Sequence, residues 1–158
     1  MIVLGVDPGG REAGSHAGTG VSVVSADQGK VQVELAQRVH WNEWELSNNL
    51  NALVASYEPD VIVYESFTPR WGKAFSLDPV RLIGALCATF EPAMLVSVAP
   101  ATHKSLIKRD WAKELVLAAG FPVNQGHPVD ATSLCLWYGL KNQDKVILEE
   151  YKQWLHTK

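Results

Sequence analysis

The sequence predicts an α/β fold: a mixed five-stranded sheet, three strands antiparallel and then two parallel, with helices on both faces. Three observations predict it. Two short apolar runs, residues 2–6 and 61–64, each end in a carboxylate, Asp7 and Glu65. Both runs are continuous enough to be strands buried on both faces. Two further strand-like segments with a turn signal between them follow the first run, which calls for antiparallel pairing. The later strands alternate with helical periodicities, which supply the right-handed crossovers that parallel strands require. The 158 residues are expected to form one domain, 1–158.

The elements follow in order. Ile2 to Val6 is the first strand, stopped by the turn residues Asp7-Pro8-Gly9-Gly10. Residues 9–20 hold five glycines and read as a loop. Gly20 to Ser25 and Lys30 to Val39 are the next strands, with Ala26-Asp27-Gln28-Gly29 as the hairpin signal. Trp41 to Tyr57 turns helical, with Leu46, Leu50, Leu53 and Val54 at helical spacing and Pro59 beyond the end. Val61 to Glu65 is a buried strand, Phe67 to Gly72 a loop and Pro79 to Phe90 an apolar helix. Met94 to Val98 is a short strand before Pro100. Residues 101–107 and 110–119 form two short helices around the basic Lys108-Arg109, with Gly120 as a C-cap. After the turn Asn124-Gln125-Gly126, a helix covers Pro128 to Leu140, with Val129, Ser133, Leu136 and Trp137 facing inward. A last amphipathic helix covers 143–156.

Composition bounds the class. Apolar residues make up 47% of the chain, enough for one sizeable core, and charged residues 20%. No window approaches the roughly 18 apolar residues of a membrane-spanning helix, so no membrane partner is expected. The start lacks a basic leader, so no signal peptide is expected. Cys87 and Cys135 lie in apolar helical stretches and read as buried thiols of a reducing, cytoplasmic setting.

The net charge of −3 is unlike that of a nucleic-acid binder, but the charge is unevenly spread. Residues 1–65 hold three Lys/Arg against nine Asp/Glu. Residues 66–113 hold seven (Arg70, Lys73, Arg81, Lys104, Lys108, Arg109, Lys113) against three acids, a local excess of four positive charges. Such a stretch suits either a mixed solvated surface or a phosphate-binding face.

The chemistry rests on carboxylates. If the strands ending in Asp7 and Glu65 are parallel neighbours, both acids sit at one edge of the sheet, where ligands of such sheets bind. Asp130 opens an apolar helix, with His127 three residues before it, and is the only acid between Glu114 and Asp144. Converging carboxylates repel and protonate unless a cation lies between them. Hard oxygen ligands select Mg2+ or Mn2+, and two such ions about 4 Å apart hold a scissile phosphate. Each residue alone also has a plainer reading. Asp7 before Pro8-Gly9 suits a turn, Glu65 a simple ion pair, Asp130 the helix dipole, and His127 a turn position.

Together these residues resemble a known family. Residues 2–9 (Ile-Val-Leu-Gly-Val-Asp-Pro-Gly) are similar to the opening strand of RuvC-type Holliday-junction resolvases of the RNase H-like superfamily. Thr19-Gly20-Val21-Ser22 resembles the start of their second strand, and residues 61–67 resemble the strand that delivers their second acid. Residues 127–134, His-Pro-Val-Asp-Ala-Thr-Ser-Leu, resemble their last motif. The resemblance runs from residue 1 to about 140. It departs in a longer glycine-rich loop holding His16 and in residues 68–75, which match only in character. The short, acidic chain suits a bacteriophage or otherwise divergent branch, so a host-cell cytoplasm if viral.

The resemblance implies a homodimer that cuts four-way DNA junctions by paired nicks in recombination and repair, using two Mg2+ or Mn2+ ions and no nucleotide cofactor. It implies that Asp7 bridges both ions, that Glu65 and Asp130 each hold one side, and that His127 ligates or orients the attacking water. Lys104 and Lys113 fall where the family carries basic residues near the scissile phosphate; solvated helix lysines are the plainer reading. Phe67, Trp71 and Phe75 would stack on unpaired bases or else join the core. Arg70, Lys73, Arg81 and Lys108 would contact phosphates. The helix at 79–90 is either the dimer interface or a core helix. Rival expectations are a flap, fork, R-loop or RNA–DNA hybrid nuclease of the same fold, then a non-catalytic nucleic-acid-binding relative. An actin-like phosphotransferase ranks last, since the chain is short for two domains and shows no second phosphate-binding glycine loop.

Overall fold

β1 (Ile2–Asp7) lies at the centre of the sheet. On one side it pairs antiparallel with β2 (Thr19–Asp27), which pairs antiparallel with β3 (Lys30–Val39). On the other side β4 (Val61–Glu65) and β5 (Leu95–Val98) add in parallel, giving the order β3-β2-β1-β4-β5. The computed structural model describes residues 1–9, 18–67, 77–123 and 126–158. The helices are α1 (Glu43–Tyr57), α2 (Asp78–Thr89), α3 (Pro100–Leu106), α4 (Arg109–Ala118), α5 (His127–Lys141) and α6 (Lys145–His156). The mixed sheet expected from the sequence is the one observed. Among the described residues no helix is long and apolar enough to cross a membrane.

Side chains alternate across a strand, and that alternation sorts the core into two halves. Val3, Val61 and Val63 pack with Val116, Leu134 and Ile147 of α4, α5 and α6. Leu4, Val6 and Ile62 pack with Leu46, Leu50, Leu82 and Leu86 of α1 and α2. Asp7 and Glu65 continue the Val3 and Val63 series, so both carboxylates emerge on the α5 side. The register pairs Val6 with Tyr64, which sets the two acids side by side at the carboxyl ends of their strands.

α5 is the helix that closes on this edge, and two glycines let it come close. A Cβ at Gly5 would overlap the Ala131 carbonyl oxygen, and one at Gly20 the His127 carbonyl oxygen. The helix is then pinned by a buried hydrogen bond of 2.8 Å between the Ser22 and Thr132 hydroxyls. Its first turn, with His127 and Asp130, thereby rests over the end of β1.

Local chemistry explains where the boundaries differ from expectation. α1 begins at Glu43, not Trp41, because Asn42 and Glu45 form a reciprocal capping box. α6 begins at Lys145 because Asp144 accepts from the Val146 and Ile147 amides. The strands of the hairpin run on through Ala26 and Asp27, leaving only Gln28 and Gly29, both at positive φ, as the turn. Gly120 caps α4 as expected. It is left-handed at φ 84°, its N–H donates to Leu117 O, and Phe121 N–H donates to Val116 O, which is a Schellman motif. One expectation fails. Cys135 is buried, but Cys87 is exposed, because Leu82 and Leu86 occupy the inward face of α2 and Cys87 falls opposite.

Candidate active site

Three carboxylates meet at the edge defined by the ends of β1 and β4 and the start of α5, and each faces a basic group of the protein. Asp7, only 7% exposed, approaches Nδ1 of His127 at 2.6 Å. Asp130 Oδ1 accepts from Arg109 Nε at 2.9 Å, and Arg109 also donates to the Gly126 carbonyl at 3.4 Å. That arginine ties the start of α4 to the start of α5. Glu65 Oε2 lies 3.5 Å from both Lys104 Nζ and His103 Nε2.

The three pairs differ in quality. The Asp7 and Asp130 contacts fall in or near the range of short, charge-assisted hydrogen bonds. The Glu65 contacts are longer, and among the described residues its buried Oε2 has no hydrogen-bond partner. Burial, followed by the neighbouring Asp7, pushes the Glu65 carboxyl up to about 6 from its ordinary 4.5. Lys104 opposes the rise, and Asp130 adds to it. This coupling places Asp7 and Asp130 within electrostatic reach of Glu65. His103 is fully buried, and both its ring nitrogens lack hydrogen-bond partners among the described residues. Burial, then Lys104, lowers its pKa to about 4, so at neutral pH it is an uncharged imidazole and not half of an ion pair.

Two of these groups were not anticipated as site residues. His103 gave no sign of its burial in the sequence, because it stands beside Lys104 on a short helix, yet the structure encloses it fully. Arg109 was read only as part of a basic stretch. Its partner lies 21 residues away, and nothing local announces the pair.

The donor set fits a hard divalent cation. It consists of carboxylates and an imidazole, with an orphaned, buried carboxylate oxygen and mutually repelling acids. Among the described residues no three acidic, histidine or cysteine side chains close into a ligand shell as they stand, because each acid is turned to its own basic partner. A cation at this edge would take over part of that role, with Asp7, Glu65, Asp130 and His127 as the groups in position to hold it.

The remaining predicted residues divide by location. Phe67 lines a cleft beside Glu65 and Lys104, walled by Ser66, Pro79 and Pro100. Arg81 is exposed on α2. Lys108 and Lys113 line a different groove, with Leu117, Trp154 and Lys158 of α4 and the chain end. Arg70, Trp71, Lys73, Phe75 and His16 lie outside the described residues.

No protein-family model matches the sequence, and no curated protein sequence does. Solved structures match throughout its length. RuvC of T. thermophilus, solved with a Holliday junction substrate, superposes with a TM-score of 0.69 at 15% identity, covering 92% of this chain and 97% of that one. The fowlpox virus Holliday junction resolvase gives 0.57 at 12% identity, with 89% and 99% covered. The yeast mitochondrial resolvase Ydc2 gives 0.55 at 16%, with 93% and 85% covered. Identities this low speak for the fold, and the five-stranded sheet with its flanking helices is therefore the RNase H-like fold in its RuvC-type form.

Proposed function

We propose that this protein is a metal-dependent, structure-specific endonuclease that cuts four-way DNA junctions by paired nicks. The observation that carries the reading is the convergence of Asp7, Glu65 and Asp130, with His127 and Lys104, at one sheet edge of a RuvC-type fold. That two of the similar structures are named resolvases, and a third a RuvC solved with a junction, supports the choice of substrate.

Asp7, Glu65, Asp130 and His127 would hold two Mg2+ or Mn2+ ions, which when bound would supply an activated water and charge neutralisation at the leaving oxygen of a phosphodiester. Lys104, half-exposed beside Glu65, neutralises charge gathering on the phosphate. His127 is oriented by its Nδ1 contact with Asp7 and holds or moves a proton at the ring. Phe67, in the cleft next to these groups, presents an aromatic face to a base flanking the cut. Arg81, Lys108 and Lys113, with Arg70, Trp71, Lys73 and Phe75, form the wider DNA-binding set. Lys108 and Lys113 line a groove other than the cleft beside Glu65.

Paired nicks require two active sites, hence a homodimer. α2 supports this, because beyond its inward leucines it exposes Leu77, Val80, Gly84 and Cys87 at helical spacing. One face of the helix thus belongs to the core and the other is offered to a second copy. A cytoplasmic location, the host's if the chain is viral, belongs to the same proposal.

The test is cleavage of a synthetic four-way junction beside a plain duplex, a flap and an RNA–DNA hybrid, with Mg2+, Mn2+ or EDTA. Paired symmetric nicks in the junction, lost in EDTA and absent from the duplex, are expected. Preferential cutting of the flap or hybrid would keep the acid cluster and change the substrate.

A further inference from the structure

The feature left unused is His103. It is fully buried on α3, with both ring nitrogens unpartnered. Leaving buried polar groups without hydrogen bonds is unfavourable, and a hydrocarbon of the same size would sit there more comfortably. The ring is nevertheless aimed. Its Nε2 lies 3.5 Å from Glu65 Oε2, itself a buried oxygen without a hydrogen-bond partner. The two orphans therefore face each other across a gap slightly longer than a hydrogen bond. Lys104 approaches the same oxygen from the solvent side at 3.5 Å, half-exposed where His103 is enclosed. Glu65 is thus flanked by a half-exposed cation outside and an enclosed imidazole inside.

Resting on the nuclease reading above, we propose that His103 is the positioning residue for Glu65. Its imidazole presents Nε2–H to the inner carboxylate oxygen, fixes the rotamer of the acid and leaves its remaining lone pairs to a cation. Carboxylates that hold metals are commonly held in turn by such hydrogen bonds, and losing one weakens metal affinity by about 10- to 100-fold. The role needs an N–H at the Nε2 position and nothing else from the ring. Histidine meets it from a short helix whose next residue, Lys104, points outward.

The experiment titrates the purified protein with Mn2+ alone, by calorimetry, and records thermal unfolding without metal. Four proteins are compared: wild type, His103→Leu, His103→Gln and Glu65→Gln. His103→Leu is expected to bind Mn2+ about 10- to 100-fold more weakly while melting no lower than wild type, since hydrocarbon replaces an unpartnered ring. His103→Gln, whose amide N–H reaches the Nε2 position, is expected to restore affinity to within a few-fold. DNA binding in EDTA is expected to be the same in all three His103 forms. Wild-type Mn2+ affinity in His103→Leu, with weakened binding in Glu65→Gln, overturns the positioning role and leaves the metal site standing. Equal loss in the Leu and Gln variants, alongside lowered melting, marks a merely structural histidine and also overturns it. Undiminished binding in Glu65→Gln removes the metal-site reading and this inference with it. If His103→Leu does not fold, His103→Met against His103→Gln makes the same comparison.

Discussion

Asp7 and Glu65 end adjacent parallel strands and emerge on the same face of the sheet, yet they are held differently. Asp7 approaches His127 at 2.6 Å beneath the first turn of α5. Glu65 has two basic groups at 3.5 Å and an orphaned oxygen, and its carboxyl is pushed up to about 6. The difference comes from the scaffold. Glycines at Gly5 and Gly20 bring α5 down onto β1 and β2, whereas Glu65 faces the short helix α3 across a looser gap. One acid is held by a short contact, and the other only by a longer ion pair with Lys104. On the proposed reading, an edge built this way would take a cation through its weaker half.

The comparison can be broken most severely by removing either half. Asp130→Asn and Glu65→Gln are both expected to abolish junction cleavage, measured as nicks per hour in Mg2+. Their stabilities should diverge. Asp130→Asn gives up a partly exposed pair with Arg109, a loss of about 0–1 kcal/mol in urea unfolding. Glu65→Gln removes a partly buried, loosely paired charge whose carboxyl is pushed up by burial, and should be no less stable than wild type at neutral pH. A smaller effect is expected from Lys104→Ala, which keeps every acid. It should lower kcat on the order of 10²-fold with junction affinity changed far less, read from single-turnover rates and gel shifts.

Smaller still, in activity, is the change that tests the scaffold. Gly20→Ala places a methyl against the His127 carbonyl and should destabilise the fold by roughly 1–3 kcal/mol. It should also loosen the Asp7–His127 contact without touching Glu65. Equal stability of Gly20→Ala and wild type would show that α5 has room to spare.

The smallest expected effect is in pH. The folded-state pKa of Glu65 is raised from 4.5 to about 6, so the folded chain binds that proton more tightly than the unfolded one. Between these values the contribution of Glu65 to stability falls as pH rises. It is neutral below about pH 4.5 and fully unfavourable above about pH 6, by about 2 kcal/mol at most. Without metal, the stability difference between Glu65→Gln and wild type should therefore grow in favour of the variant across that window. Mn2+ affinity of the wild type should fall as pH drops through 6, because the ion and the proton compete for one carboxylate. A difference that stays flat from pH 4.5 to 7 would mean that Glu65 is not strained in the folded state.

Much of this edge is legible in the sequence, for a definite reason. A strand buried on both faces announces itself as a continuous apolar run, and a carboxylate closing two such runs can hardly be accidental. Asp7 and Glu65 follow from that, and Asp130 from being an isolated acid at the start of an apolar helix. Their shared face follows from strand alternation once the parallel register is granted. Arg109 is different. Its ion pair with Asp130 depends on how α4 meets α5, which no local pattern encodes. His103 was hidden by its neighbour, since a His-Lys pair on a helix of seven residues reads as solvent-facing and so short a helix carries no periodicity to mark its inward side. The burial of Cys87 was misjudged in the same way, through the rotation of α2 about its axis.

The central claim is that these acids form one cation site that cuts branched DNA. It is tested most directly by incubating wild type and Asp7→Asn with a four-way junction in Mg2+ and in EDTA, scoring binding and nicking in the same samples. The account predicts paired nicks only for wild type in Mg2+, with Asp7→Asn binding the junction at least as tightly as wild type in EDTA. Normal cutting by Asp7→Asn, or nicking that persists in EDTA, would contradict it.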